Sequence, residues 1–88
     1  MNKDIYSAFG NQVRAKFVLC LSQSPKNVTD IIKTCRLSQS AVSQHLSKLK
    51  KAGLVSSKKE GKEVWYFLTN KKAVEVSKLL ISLEQEVL

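Results

Sequence analysis

One segment constrains this chain more than any other: Leu37-Ser-Gln-Ser-Ala-Val-Ser-Gln-His-Leu-Ser-Lys-Leu-Lys-Lys-Ala-Gly-Leu-Val55. At 3.6 residues per turn, with Val42 as centre, Leu46, Leu49 and Gly53 share its side, and Ser40, Ser43, Gln44, Ser47 and Lys51 fall opposite. The sequence therefore predicts a helix over about 39–52 with one apolar face and one face of short polar side chains. Ser38 is placed to cap its start, and Gly53 to close its end in the left-handed conformation. The polar face has the chemistry of a base reader. Glutamine can pair with adenine N6 and N7, serine can bond to base edges or phosphates, and small side chains allow close approach to a major groove.

The residues just before this helix define its context. Asn27 to Cys35 reads as a shorter helix, with Asn27 as cap, Asp30 in the first turn and Val28, Ile31 and Ile32 as the apolar stripe. Two helices meeting across Arg36 and Leu37 read as a helix-turn-helix, with Gln39 to Ala52 as the recognition helix. An ordinary amphipathic helical hairpin is the alternative. After Gly53 the period changes. Leu54–Lys59 and Glu63–Thr69 are rich in β-branched and aromatic residues, and Glu60-Gly61-Lys62 supplies a turn, so a wing-like β-hairpin is predicted over about 54–69. Lys58, Lys59 and Lys62 crowd its tip. They are expected to lie along phosphates, adding affinity and register more than sequence information; the alternative is a solvated edge that discourages strand aggregation. Trp65, Tyr66 and Phe67 read as core and strand-pairing residues rather than base-stacking platforms.

Composition agrees. Eighty-eight residues suffice for one small domain, 1–88. Fifteen Lys and Arg against seven acidic residues give a formal charge of +8, which favours a polyanionic partner. The lack of a long apolar run or a signal peptide predicts a soluble, cytoplasmic protein that does not enter a membrane. One histidine, no clustered carboxylates and no glycine-rich phosphate loop leave no catalytic constellation, so an enzyme is not expected.

Further helices frame this unit. Asn11–Ser22 carries Val13, Phe17, Val18, Cys20 and Leu21, more apolar residues than one stripe needs, and is expected to run through the middle of the domain. The N-terminal segment Lys3–Gly10 offers Ile5, Tyr6 and Phe9. The C-terminal helix, about 70–87, offers Val76, Leu79, Leu80, Leu83 and Val87 at spacings of three and four. So small a domain does not need that seam for its own core, and a second copy of the chain is the expected cover. The alternative is a helix folded back on its own hairpin. The predicted fold is mainly α with a small β-hairpin, a winged helix-turn-helix in the order α-α-α-α-β-β-α, dimeric through its terminal helices.

The strings Leu37-Ser-Gln-Ser-Ala-Val-Ser-Gln-His-Leu46, Lys51-Ala-Gly-Leu-Val55 and Val64-Trp-Tyr-Phe-Leu68, in this order of elements, resemble the ArsR (ArsR/SmtB) family of bacterial winged-helix transcriptional regulators, and are closest in motif to its HlyU-type members. The resemblance implies a homodimer on an imperfect inverted repeat in a promoter, usually as a repressor and sometimes as an activator that displaces another repressor. It puts DNA contacts at Gln39, Ser40, Ser43, Gln44 and Ser47 on the helix and at Lys58, Lys59 and Lys62 on the wing; the helical period adds Lys51. His45 matches a histidine common in the family motif and reads as a packing or phosphate-contacting residue.

The family's sensing sites can be checked residue by residue. Where its arsenic and cadmium sensors carry a Cys-x-Cys pair, this chain has Asn27 and Thr29. Where its zinc and nickel sensors place Asp, His and Glu ligands, the C-terminal helix has neither His nor Asp. No metal site and no cofactor are expected. Cys20 matches one of two reactive cysteines in thiol-responsive members, but the second position, on the C-terminal helix, has none. Cys35 could substitute if the two thiols lie within disulfide reach; the plainer reading of both is small, buried apolar residues. Two other functions stay open: a winged-helix module that binds another protein, and a nucleic-acid-binding architectural protein without an operator.

Overall fold

Short polar side chains start four of the helices, and backbone in the left-handed region ends two of them. The computed structural model describes residues 3–87. Its helices are α1 (Lys3–Phe9), α2 (Gln12–Gln23), α3 (Val28–Cys35), α4 (Gln39–Lys51) and α5 (Lys72–Val87); its strands are β1 (Lys26–Asn27), β2 (Val55–Glu60) and β3 (Glu63–Leu68). Asn11 Oδ1 accepts from the Val13 and Arg14 amides at 2.8 and 3.3 Å, Asn27 Oδ1 from Asp30 at 2.7 Å, Ser38 Oγ from Ala41 at 3.1 Å, and Asn70 Oδ1 from Lys72 at 2.9 Å. Each bond satisfies an amide that has no partner within its helix.

The turn between α3 and α4 is set by Arg36, the one non-glycine residue with positive φ among those described, at 55°. Its amide donates to Ile32 O at 3.0 Å, closing α3 as the chain swings into Leu37 and Ser38. At the far end of α4, Gly53 takes φ 80°. The Gly53 amide donates to Lys50 O and the Leu54 amide to Leu49 O, both at 3.0 Å, and buried Leu54 and Leu49 accompany the reversal. Gly53 is thus an exposed residue beyond the helix and not part of its buried face, because the helix closes before reaching it.

The core gathers around the apolar face of α4. Val42, Leu46 and Leu49 are fully buried together with Val18, and Ala8, Phe17, Leu21, Ile31, Val55 and Ala73 complete the cluster. Burial of each such leucine or valine contributes about 1.5–3 kcal/mol. The middle helix α2 packs against α1, α4, α5 and β3, as its surplus of apolar residues predicts. The C-terminal helix packs on α2, not on the hairpin, through Ala73 and Ser77. Two small residues on that face allow a close approach. The Ser77 hydroxyl is fully buried and has no hydrogen-bond partner.

The sheet differs from the two-stranded expectation. It has three antiparallel strands in the order β1-β3-β2. The missed strand consists of Lys26 and Asn27, opposite Tyr66 and Trp65. Two residues are too short to show a period; the extended backbone that Asn27 needs to cap α3 also serves as strand. The β2–β3 turn is Gly61-Lys62, with Gly61 at φ 60°, a two-residue hairpin loop that needs glycine first. At its base, Thr69 donates to Leu54 O through its amide and to Gly53 O through its hydroxyl, at 3.0 and 2.7 Å. Strand alternation also corrects the reading of the aromatics. Tyr66 and Leu68 pack against the core with Val55, whereas Trp65 and Phe67 lie on the outer face beside Pro25 and Lys58.

Candidate nucleic-acid interface

With Val42, Leu46 and Leu49 pinned in the core, α4 cannot roll, and its opposite face is fixed toward solvent. Gln39, Ser40, Ser43, Gln44, Ser47, Lys48 and Lys51 are all exposed. Ser40, Ser43, Gln44, Ser47 and Lys48 line one shallow concavity on this face. Lys48 was missing from the sequence reading, yet it follows Gln44 by one turn, and that spacing was enough to find it. Lys51 sits at the far end of the helix, where its Nζ, largely in water, lies 3.9 Å from the half-buried Asp4 of α1.

The wing lysines do not form one stripe. Lys58 is paired with Trp65 on the outer face of the hairpin and lies 3.7 Å from Glu60. Lys59 is paired with Val64 on the opposite face. Lys62, in the turn, lines a cleft of about 410 Å³ together with Gln39 and Ser43 of α4 and Asn27 and Thr29 at the start of α3. The fold therefore brings Lys62 to the beginning of the recognition helix and separates Lys58 from Lys59, because adjacent strand residues face opposite ways. A bond from Lys50 Nζ to Ser57 Oγ, 2.8 Å, ties α4 to the wing.

His45 packs on the flank of α4. Its ring meets Phe17 edge-on, with centroids 5.7 Å apart and planes at 81°. Arg14 Nη1 donates to His45 Nδ1 at 3.2 Å. Burial, then the charges of Arg14 and Lys48, pull the ring's pKa below its ordinary 6.5. The packing alternative for His45 is the one observed.

The residues considered for sensing lie elsewhere. Asn27 spends its side-chain oxygen on the α3 cap, and among the described residues no group of three or more His, Cys, Asp or Glu is arranged to hold a metal ion. Cys20 and Cys35 are half-buried free thiols. Burial, and secondarily the nearby Cys20, pushes the Cys35 thiol above its ordinary 9.0, the reverse of the acidity that a reactive thiol needs. No described helix is long and apolar enough to cross a membrane.

The apolar seam of the terminal helices is largely uncovered. Tyr6, Leu79, Leu83 and Val87 are 73, 71, 57 and 77% exposed, and Ile5 and Val76 are also exposed. Phe9 and Leu80 are half-buried and, with Ala15, Leu83 and Val87, border a groove of about 410 Å³ between the start of α2 and the end of α5.

A helix-turn-helix with a polar, solvent-facing second helix and an adjoining hairpin defines a winged-helix DNA-binding protein. Residues 11–57 match the bacterial regulatory proteins of the arsR family. The chain is 33% identical to an HTH-type transcriptional regulator of Methanocaldococcus jannaschii over 88% of each chain. It is 41% identical to the cadmium resistance transcriptional regulatory protein CadC of Listeria innocua, over 69% of this chain and 51% of that one, so it spans about half the length of that relative. Among solved structures it is similar to HlyU of Vibrio cholerae, with a TM-score of 0.78 and 32% identity over 91% of this chain and 87% of that one. The chain belongs to the arsR family: it is a DNA-binding transcriptional regulator, not an enzyme.

Proposed function

We propose that the protein is a cytoplasmic, homodimeric repressor that binds an inverted-repeat operator and does so without a metal-sensing site. The observation that carries this reading is the exposed Gln and Ser face of α4, held rigidly outward by three fully buried residues behind it. In this reading Gln39, Ser40, Ser43, Gln44 and Ser47 read base edges. Lys48, Lys51, Lys58, Lys59 and Lys62 neutralise phosphates, so affinity falls steeply with salt. Ile5, Tyr6, Phe9, Val76, Leu79, Leu80, Leu83 and Val87 cover one another across a two-fold axis, placing the two recognition helices about 34 Å apart in successive major grooves. Cys20 and Cys35 act as packing residues, a role supported by the raised pKa of Cys35. Repression follows from steric exclusion, since an operator-bound dimer occupies promoter DNA that polymerase needs. A second reading, activation, is favoured by one observation: the similar HlyU is named a transcriptional activator.

The test is selection from a random duplex library at two salt concentrations with reduced protein, followed by transcription in vitro from a promoter carrying the recovered site. An enriched inverted repeat with half-sites one helical turn apart supports the dimeric operator reading, and an enriched single half-site refutes it. Tight binding without enrichment would identify an architectural protein, and no binding at all a protein-interaction module. Transcript that rises on adding the protein would replace repression with activation.

A further inference from the structure

Arg14 is a charged side chain where a scaffold helix should bury apolar ones. It is 8% exposed, and its guanidinium bonds to two other helices. From the first turn of α2, its Nε donates to Ala8 O at 3.0 Å and its Nη2 to Ser7 O at 2.8 Å, two carbonyls in the last turn of α1. Ser7 O also accepts from the Gly10 amide at 3.2 Å, and a cation at that end of a helix meets the negative end of the dipole. The remaining nitrogen, Nη1, reaches His45 on α4. Arginine can only donate, so Nδ1 is the acceptor and the ring is neutral, with its proton on Nε2.

We propose that Arg14 and His45 form a pH-responsive bridge that holds the recognition helix in register with α1, so that acidification weakens DNA binding while the dimer persists. The proposal rests on the reading above, in which α4 meets DNA and α1 belongs to the dimer contact. His45 immediately follows Gln44 and lies two residues before Ser47, so whatever fixes its ring fixes the proposed reading face on the same rigid helix. Protonating Nδ1 turns the acceptor into a donor facing a donor and adds a positive charge beside Arg14 and Lys48. Those two are the charged groups that act on the ring, from α2 and from α4 itself. On α1 the bridge ends on the neutral carbonyls of Ser7 and Ala8, and the helix's carboxylate, Asp4, lies toward Lys51. Ring burial and both cations oppose protonation, which keeps the bridge intact at neutral pH and places its failure on the acid side.

The sign separates this device from bulk electrostatics. Acidification makes the chain more positive, which by itself tightens binding to a polyanion; the bridge predicts the opposite. His45 is the chain's single histidine, so side-chain titration between about pH 5 and 7 belongs to it.

The experiment measures affinity for a duplex recovered from the random library, or for the random pool itself if none is enriched, at pH 7.5 and 5.5, with light scattering in the same buffers. The expected result is a loss at pH 5.5 of severalfold with unchanged mass, about tenfold being the ceiling for a ring whose pKa lies below 6.5. His45→Asn, which puts an uncharged oxygen acceptor in place of Nδ1, should bind at pH 7.5 and lose this dependence. Nitrogen-15 NMR of the wild-type ring covers the case in which that variant fails to fold. It should show Nε2–H at pH 7.5 and a pKa below 6.5 that rises in Arg14→Gln, which removes the neighbouring cation. Affinity that is unchanged or higher at pH 5.5, a ring protonated on Nδ1 at pH 7.5, or dissociation to monomers at pH 5.5 would each overturn the bridge. A monomer already at pH 7.5 would instead refute the dimer reading, leaving the ring's titration to judge the bridge separately.

Discussion

Helices α4 and α5 each bury one face and expose the other, but they expose opposite chemistry. The buried face of α4 is Val42, Leu46 and Leu49, and its open face carries serine, glutamine and lysine. The buried face of α5 is only Ala73 and Ser77, and its open face carries Val76, Leu79, Leu83 and Val87. A polar open face is content in water and waits for a polar ligand. Exposed leucines at helical spacing are costly in water and favour an apolar cover. One helix thus spends its apolar residues on its own core, and the other keeps them for outside it.

The comparison can be broken most severely from the buried side of α4. Leu46→Ala should cost about 2–5 kcal/mol in urea unfolding, enough to threaten a domain of this size, because the site is fully enclosed. Leu83→Asp should leave the monomer's stability within about 0.5 kcal/mol yet abolish the dimer. Operator affinity should then drop by about a hundredfold as the linked half-site is lost. A dimeric mass for Leu83→Asp in light scattering would sink the cover argument. On the open face of α4, Gln44→Ala should lose about 1–3 kcal/mol of discrimination at one base pair per half-site, whereas Lys62→Ala should weaken all sequences alike. Equal, sequence-independent losses in both variants across mutated operators would end that division of labour.

Smaller effects sharpen the contrast. Ser77→Ala should stabilise the fold by about 1 kcal/mol in urea, since it removes a buried hydroxyl that bonds to nothing. Thermal unfolding should also report His45. Because its folded-state pKa lies below its unfolded 6.5, the unfolded chain binds the proton more tightly, so the ring's contribution is complete above pH 6.5 and is lost as pH falls through the folded-state pKa. A melting temperature for His45→Asn that followed the wild type through this interval would contradict that assignment.

Much of the candidate site was legible in sequence because it obeys local rules. The caps at Asn27 and Ser38, the reversal at Gly53 and the two faces of α4 depend on residues within a few positions of one another. Lys48 obeyed the same period and could have been read. Arg14 could not, since its partners Ser7, Ala8 and His45 come from two other helices and no spacing along the chain announces them. The same is true of the wing. Alternation could separate Lys58 from Lys59, but only the folded hairpin brings Lys62 beside Gln39 and Ser43.

The sequence by itself determined the order of the helices and of the two hairpin strands, the helix boundaries to within a residue or two, and which face of α4 goes inward, because hydrogen bonds and hydrophobic period act over one or two turns. Tertiary structure alone decided that α5 docks on α2, that Lys26 and Asn27 add a strand to the wing, that Trp65 and Phe67 stay outside the core, and that a buried arginine joins α1 to the recognition helix. Those outcomes depend on which distant surfaces meet, and the free energy of such contacts is set by packing and burial across the fold.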